Sequence, residues 1–363
     1  MSSEGPSDLP CGLVLPRLSP SGCSRPLPHL QWRDRAGFAP ASLLCPRGHP
    51  KRFCCAPAVS PLLVTLSSSR GVGAGAERGY PGVVPPFLIL GCGYVGTRVA
   101  LGLLGEAERV HATSRDLAAL GPVASSGGVV HRLDTANAGS LRELEMYAAE
   151  LGPGLRVLVS MPPPGSAIQA RRVFDALGAN PARLVLLSTT SVYGAQLDVD
   201  ERTAPAPCDD ASRLGLEAER VAARGPWTTL VLRCAAIYGP GRGVHVALRE
   251  GRVGRVRDLD RIVSRVHVDD LSSLAIAALR SEVQGAWPVA DDLPATTRQV
   301  AAFCATLGLP APRGADPSGS GDSPGRRVDG HAVRSVLGVK FRYPSYREGI
   351  AASILSERAS ASS

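Results

Sequence analysis

Three glycines, Gly91, Gly93 and Gly96, follow a short apolar run, Phe87-Leu88-Ile89-Leu90, and precede a helix-compatible stretch, Thr97 to Leu104. Residues of that type at Gly-x-Gly-x-x-Gly spacing can hold an anionic diphosphate on main-chain groups. Gly91 permits a tight turn, Gly93 removes the side chain where a pyrophosphate approaches, and Gly96 lets the helix lie close on the strand. Tyr94 and Val95 complete the loop. The helix N-terminus adds unpaired N–H groups and the positive end of a dipole. In a chain with 40 glycines the spacing alone says little. The strand before it and the helix after it are what point to a dinucleotide site.

About 20 residues further on, the run Thr113-Ser114-Arg115 occupies the position that discriminates between dinucleotides. A hydroxyl and a planar guanidinium suit a 2′-phosphate, so Ser114 and Arg115 favour NADP over NAD. Asp116 follows at once and, turned toward the ribose, would reverse that choice.

Alternating β and α patterns must position these residues. Strands are expected at Arg109–Thr113, Val129–Leu133, Leu155–Ser160, Arg183–Leu187 and Thr228–Arg233, with helices at Leu141–Leu151, Ala167–Leu177 and Asp209–Ala223. Parallel strands need crossover helices, so the alternation predicts an α/β fold: a doubly wound parallel sheet with helices on both faces. Helices are also expected at Val268–Leu279 and Thr297–Leu307. A Gly/Ser/Pro/Asp loop from Arg313 to Gly325 precedes a last segment, Arg327 to Ile354. This later part looks too irregular to continue the winding and reads as a smaller, substrate-covering lobe. The expected division is a disordered Pro/Gly/Ser/Arg-rich extension at 1–82, which reads as a mis-assigned start, a dinucleotide-binding core at 83–240, a C-terminal part with elements returning to the core at 241–356, and a disordered tail at 357–363.

Composition narrows the function. The net charge is +8, but the first 80 residues carry nine Lys and Arg against four Asp and Glu, which leaves the remainder near +3. With aromatics at 4%, no stacking platform accompanies the basic residues, so nucleic acid is not the expected partner. No run of about 18 apolar residues is present for a membrane span, and no secretory pattern opens the chain, so the cytoplasm is the expected compartment. The nine cysteines form no Cys-x-x-Cys pair, and neither a metal site nor a disulfide framework is expected.

Further phrases recur in order: Ser188-Thr189-Thr190-Ser191-Val192-Tyr193-Gly194, Leu232 to Arg242, Val266-His267-Val268-Asp269-Asp270-Leu271, and Arg342 to Gly349. Together they resemble the extended short-chain dehydrogenase/reductases, or NAD-dependent epimerase/dehydratases, over about residues 86 to 350. The ending Val328-Asp329-Gly330 through Tyr343-Pro344 looks most like an atypical, YeeZ-like branch. The resemblance implies a Rossmann core with NAD(P) across the strand C-termini, Asp134 at the adenine, and Ser160-Met161-Pro162 lining the cofactor. It implies that Thr189 hydrogen-bonds the reacting oxygen, and that His267 and Asp270 tie the lobes together. It also implies homodimers through helices on one side of the sheet.

The family's Tyr-x-x-x-Lys pair falls on Ala211 and Gly215, and the whole chain holds only two lysines, Lys51 and Lys340. Two readings follow. One is an NAD(P)-dependent oxidoreductase of unusual mechanism, acting on a small or sugar-like carbonyl or alcohol, with Thr189 polarising the oxygen and water or Tyr193 relaying the proton. The other is a non-catalytic NADP(H) sensor or docking protein. Arg242, Arg249, Arg252, Arg255 and Arg257 either meet an anionic substrate or form a solvated face, and the face is preferred.

Overall fold

The computed structural model describes residues 85–162, 165–252, 259–311 and 325–361. The expected extension at 1–82, most of the loop from Arg313 to Gly325, and Arg255 and Arg257 lie outside the described residues. The described residues belong to one unit, Glu77–Ser363.

Elements follow one another as β1 (Phe87–Leu90), α1 (Gly96–Gly105), β2 (Val110–Ser114), α2 (Gly121–Ser125), β3 (Val129–Arg132), α3 (Ala138–Leu151), β4 (Leu155–Val159), α4 (Ala167–Asp175) and β5 (Pro181–Thr189). Then come β6 (Asp198–Val199), α5 (Asp210–Ala222), β7 (Thr228–Cys234), β8 (Ala236–Tyr238), α6 (Val244–Arg249), β9 (Ile262–Val263), β10 (Arg265–His267) and α7 (Val268–Arg280). The chain continues through β11 (Gly285–Val289), β12 (Ala295–Thr296), α8 (Thr297–Thr306), β13 (Gly325–Val328), α9 (His331–Val336) and α10 (Tyr346–Ala361).

The main sheet has the order β11-β7-β5-β4-β1-β2-β3, with every neighbouring pair parallel. β1 reads as an unbroken apolar run because it lies at depth with strands on both sides and helices on both faces. All four of its side chains are fully buried. Burial of each such side chain contributes about 1.5–3 kcal/mol. One face packs against α1 and α7 through Val99, Leu103, Leu271 and Leu274. The other packs against α3, α4 and α5 through Leu144, Val173, Phe174 and Ala218. Helix starts follow local chemistry: Asn137 caps α3, and Asp209 with Ser212 forms a reciprocal capping box on α5. The strand order turns back between β1 and β4, which opens a crevice beyond their carboxyl ends.

Elements after residue 240 join the main sheet: α7 packs beside α1, and β11 pairs in register with β7, Val289 against Cys234. Pro288 disguises β11 in the sequence. It lacks an N–H donor, which an edge strand tolerates. The tail is likewise not loose from residue 357: α10 runs to Ala361, and Glu357 anchors it. The Glu357 carboxylate accepts from the Gly241 N–H at 2.6 Å and from Arg249 at 2.6 Å, and meets His245 Nε2 at 3.1 Å. Beside the main sheet lie the parallel pair β8–β10 and a four-stranded sheet in the order β12-β9-β13-β6.

Candidate functional site

The glycine loop divides its glycines by task. Gly91 has φ +91°, and a Cβ there would fall 2.7 Å from Met161 Cβ. A Cβ on Gly96 would strike the Gly91 carbonyl oxygen and approach Ile89 Cγ2 at 3.2 Å. A Cβ on exposed Gly93 would meet nothing within 4 Å. Gly91 and Gly96 are therefore needed by the fold, whereas the space at Gly93 is open. No side chain caps the start of α1. Its first-turn N–H groups and dipole suit a diphosphate, so the residues present fit a dinucleotide.

β2 fixes this loop. Thr113, fully buried, accepts from the Gly91 N–H at 3.1 Å and donates to the Ile89 carbonyl at 3.2 Å. The Thr113 carbonyl accepts from Cys92 N–H at 2.7 Å.

At the end of β2, Arg115 is exposed. Asp116 turns away into its own turn, accepting from Ala118 N–H at 3.0 Å, while its N–H donates to Ser114 Oγ at 3.2 Å. Asp134 has one carboxylate oxygen engaged by Ala136 N–H at 3.0 Å. Ser160, bonded through its N–H to the Leu90 carbonyl at 2.9 Å, leads into Met161 and Pro162 beside Gly91.

Beyond the ends of β5 and β7 lies a cleft of about 520 Å³, lined by Ser188, Thr189, Ser191, Cys234 and Ile237 among others. Thr189 is exposed there. Its Oγ1 accepts from the Ser191 N–H at 3.2 Å, which leaves the hydroxyl proton to donate outward.

Tyr193, expected as a proton relay, points the other way. It is 1% exposed, and its hydroxyl accepts from Arg233 at 3.2 Å. Burial pushes its pKa up against the opposing pull of Arg233, so it is a core phenol outside the cleft lining. Arg233 also grips Glu219 with contacts at 3.2, 3.2 and 2.7 Å, and Ser188 Oγ donates to Glu219 at 2.5 Å. This buried network was not legible in the sequence, because its members lie on three separate elements.

On α5, Ala211 is exposed in the first turn and Gly215 is buried. Gly215 lines a cavity of about 20 Å³ with Met161, Pro162, Leu187 and Ser188. That is room for a single water, with no cation at hand. Asp209 caps this helix, and Asp210 pairs with Arg213 at 2.7 Å.

The bonds of His267 and Asp270 stay within the C-terminal part of the chain. His267, 1% exposed, caps α7 by accepting from Asp269 N–H at 3.2 Å and meets Ser353 of α10 at 3.2 Å. Burial draws its pKa down to about 4. Asp270 accepts from the N–H groups of Arg342 at 2.7 Å and Tyr343 at 2.9 Å. Of the arginines expected on a solvated face, Arg249 pairs with Glu357 and Arg252 with Glu250, but Arg242 lines the cleft. Arg261 and Arg326, unmarked by any motif, line it as well.

The parallel sheet and its switch point define a Rossmann-type α/β fold. No family model matches the chain. A 3-diazoavenalumate denitrifying reductase from a Streptomyces species is 31% identical over 294 residues, spanning 71% of this chain and 96% of the reductase. The NAD and UDP complex of the Bordetella bronchiseptica enzyme WbmG superposes with a TM-score of 0.62 at 18% identity, covering 75% of this chain and 94% of that one. The NAD complex of a Thermus thermophilus UDP-glucose 4-epimerase gives 0.62 at 19% identity, covering 75% and 99%. These structures share the fold of the NAD-dependent epimerase/dehydratases. The chain belongs to the family of the Streptomyces reductase.

Proposed function

We infer that the protein is an NADP(H)-dependent reductase of small carbonyl compounds, an atypical, YeeZ-like member of the extended short-chain dehydrogenase/reductases that works without a Tyr-x-x-x-Lys pair. The observation that carries this is the exposed Thr189 hydroxyl, which accepts from Ser191 N–H and keeps its own proton to donate, in a cleft at the carboxyl ends of β5 and β7. The relative's name as a reductase supports the same direction.

Gly93 and the uncapped start of α1 would hold the diphosphate, Arg115 the 2′-phosphate, and Met161 and Pro162 would border the nicotinamide end. When bound, a dihydronicotinamide would supply hydride to the substrate carbon. Thr189 donates a hydrogen bond to the oxygen on which negative charge develops. With Tyr193 turned into the core, water in the open cleft supplies the proton that completes the alcohol. A second reading, a dinucleotide sensor without turnover, is favoured by the apolar cavity at Gly215, where the family's lysine would otherwise grip the ribose.

Titration calorimetry with NADPH and NADH on the full chain, followed by a carbonyl panel, tests the proposal. NADPH is expected to bind more tightly, Arg115→Ala to weaken NADPH by tenfold or more through loss of a charge-assisted bond, and NADH to be indifferent to that change. Thr189→Val is expected to remove turnover at unchanged NADPH affinity. Binding without any turnover would leave the sensor. Absence of binding would overturn both readings.

A further inference from the structure

The Thr189 side chain bonds within its own turn, but the residues on either side of it are held from distant parts of the chain. On the N-terminal side, Ser188 Oγ donates at 2.5 Å to the carboxylate of Glu219 on α5. Glu219 is fixed in turn by Arg233 of β7 at 2.7 Å, and both are buried. Another nitrogen of Arg233 donates to the Tyr193 hydroxyl at 3.2 Å, so the same ion pair also holds the far end of the turn that Thr189 caps. On the C-terminal side, Arg326 of β13 reaches across 136 residues to the Thr190 carbonyl at 2.6 Å. Its Nε donates to the Gln196 carbonyl at 3.1 Å and its other Nη to the Gly194 carbonyl. The fixed fork of a guanidinium suits several spaced acceptors better than the rotating ammonium of a lysine. The strand itself does not call for these bonds. β5 is already paired with β7 along its length, up to Thr189 against Cys234. What they add is a fixed direction for the one residue between Ser188 and Thr190. A donor stabilises developing charge most when it needs no reorganisation at the moment of reaction.

We propose that Ser188 and Arg326 are positioning residues: backed by the Glu219–Arg233 pair, they clamp the chain on both sides of Thr189 and aim its hydroxyl at the reacting oxygen. This rests on the reductase reading and deepens it. With alanine and glycine at positions 211 and 215, one hydroxyl meets the oxygen alone, and its aim counts for more. A misplacement of about 1 Å costs on the order of 100-fold in rate. An interaction made only in the transition state lowers kcat when it is lost and leaves KM in place.

The test has two arms, both on the full-length protein. The first follows reduction of 4-nitrobenzaldehyde by NADPH. Ser188→Ala and Arg326→Gln are each expected to lower kcat at least tenfold, with KM and NADPH affinity within about twofold of wild type. Ser188→Thr keeps the hydroxyl, and its added methyl has the cavity of about 20 Å³ beside it, so it should restore kcat. Arg327→Gln, the exposed neighbour on β13, should change nothing. The second arm needs no substrate. Amide hydrogen exchange at Ser191, whose N–H donates to Thr189 Oγ1, is expected to quicken at least tenfold in Arg326→Gln, while Val185 and Leu186 within β5 keep their wild-type rates. Should Arg326→Gln fail to fold, Ser188→Ala decides, since it removes one hydroxyl and leaves the Glu219–Arg233 pair whole. Wild-type kcat in both variants would overturn the clamp and leave the reductase standing. Exchange quickened equally along β5 would also overturn it, because the residues would then serve the strand and not Thr189. Should the wild type reduce no carbonyl, the reductase reading fails, and exchange at Ser191 decides the clamp alone.

Discussion

The Tyr94 phenol donates a hydrogen bond to the Pro240 carbonyl at 3.1 Å, joining the glycine loop to the turn that carries Arg242. Burial pushes the phenol up to about 12, with Arg98 and Arg242 pulling the other way, so it stays a donor at any physiological pH. Tyr94→Phe keeps the ring under the two guanidinium groups and removes only this bond. A loss of about 0.5–1.5 kcal/mol in urea denaturation is expected, with NADPH binding weakened a fewfold.

The three glycines should separate in one experiment. Gly91→Ala meets both a left-handed backbone and Met161, so it is expected to lose about 1–3 kcal/mol of stability as well as cofactor binding. Gly93→Ala has open space before it and should melt within about 0.5 kcal/mol of wild type, while NADPH affinity falls at least tenfold. Thermal denaturation beside calorimetry reads both.

Removing one member of the buried Glu219–Arg233 pair strands the other. Glu219 and Arg233 are 5% and 6% exposed, so Glu219→Ala should cost about 3–5 kcal/mol in chemical denaturation. The double variant Glu219→Leu with Arg233→Leu is expected to lose less than either single variant, because no charge is then left in the core.

Acid should weaken the fold partly through His267. Its native pKa, pulled to about 4 by burial, lies below its unfolded value of 6.5. The unfolded chain therefore binds the proton first: the stabilisation is complete above about pH 6.5 and is lost as pH falls toward 4, by up to about 3 kcal/mol. Asp291, pushed up to about 8 by burial, slopes in the opposite sense. The difference between wild type and His267→Asn, measured by denaturation at pH 7.5, 6, 5 and 4.5, isolates the histidine. The variant should show the shallower fall.

The glycine loop, the alternating strands and helices, and the Asp209 cap were legible in the sequence because each depends on neighbours within a few residues. A turn needs a glycine where φ is positive, a buried strand needs an unbroken apolar run, and a helix start needs an acceptor.

Direction and company were decided only in three dimensions. Tyr193 and Thr189 sit four residues apart in one motif, yet the strand and the turn after it send one into the core and the other to the cleft. Thr113 pins Gly91 across 22 residues, and Glu357 closes on Gly241 across 116. Arg326 meets Thr190 across 136 residues, from beyond a loop that carries no motif. Partners at such separations are chosen by the packing of the sheet and its edge, and no local spacing in the sequence encodes them.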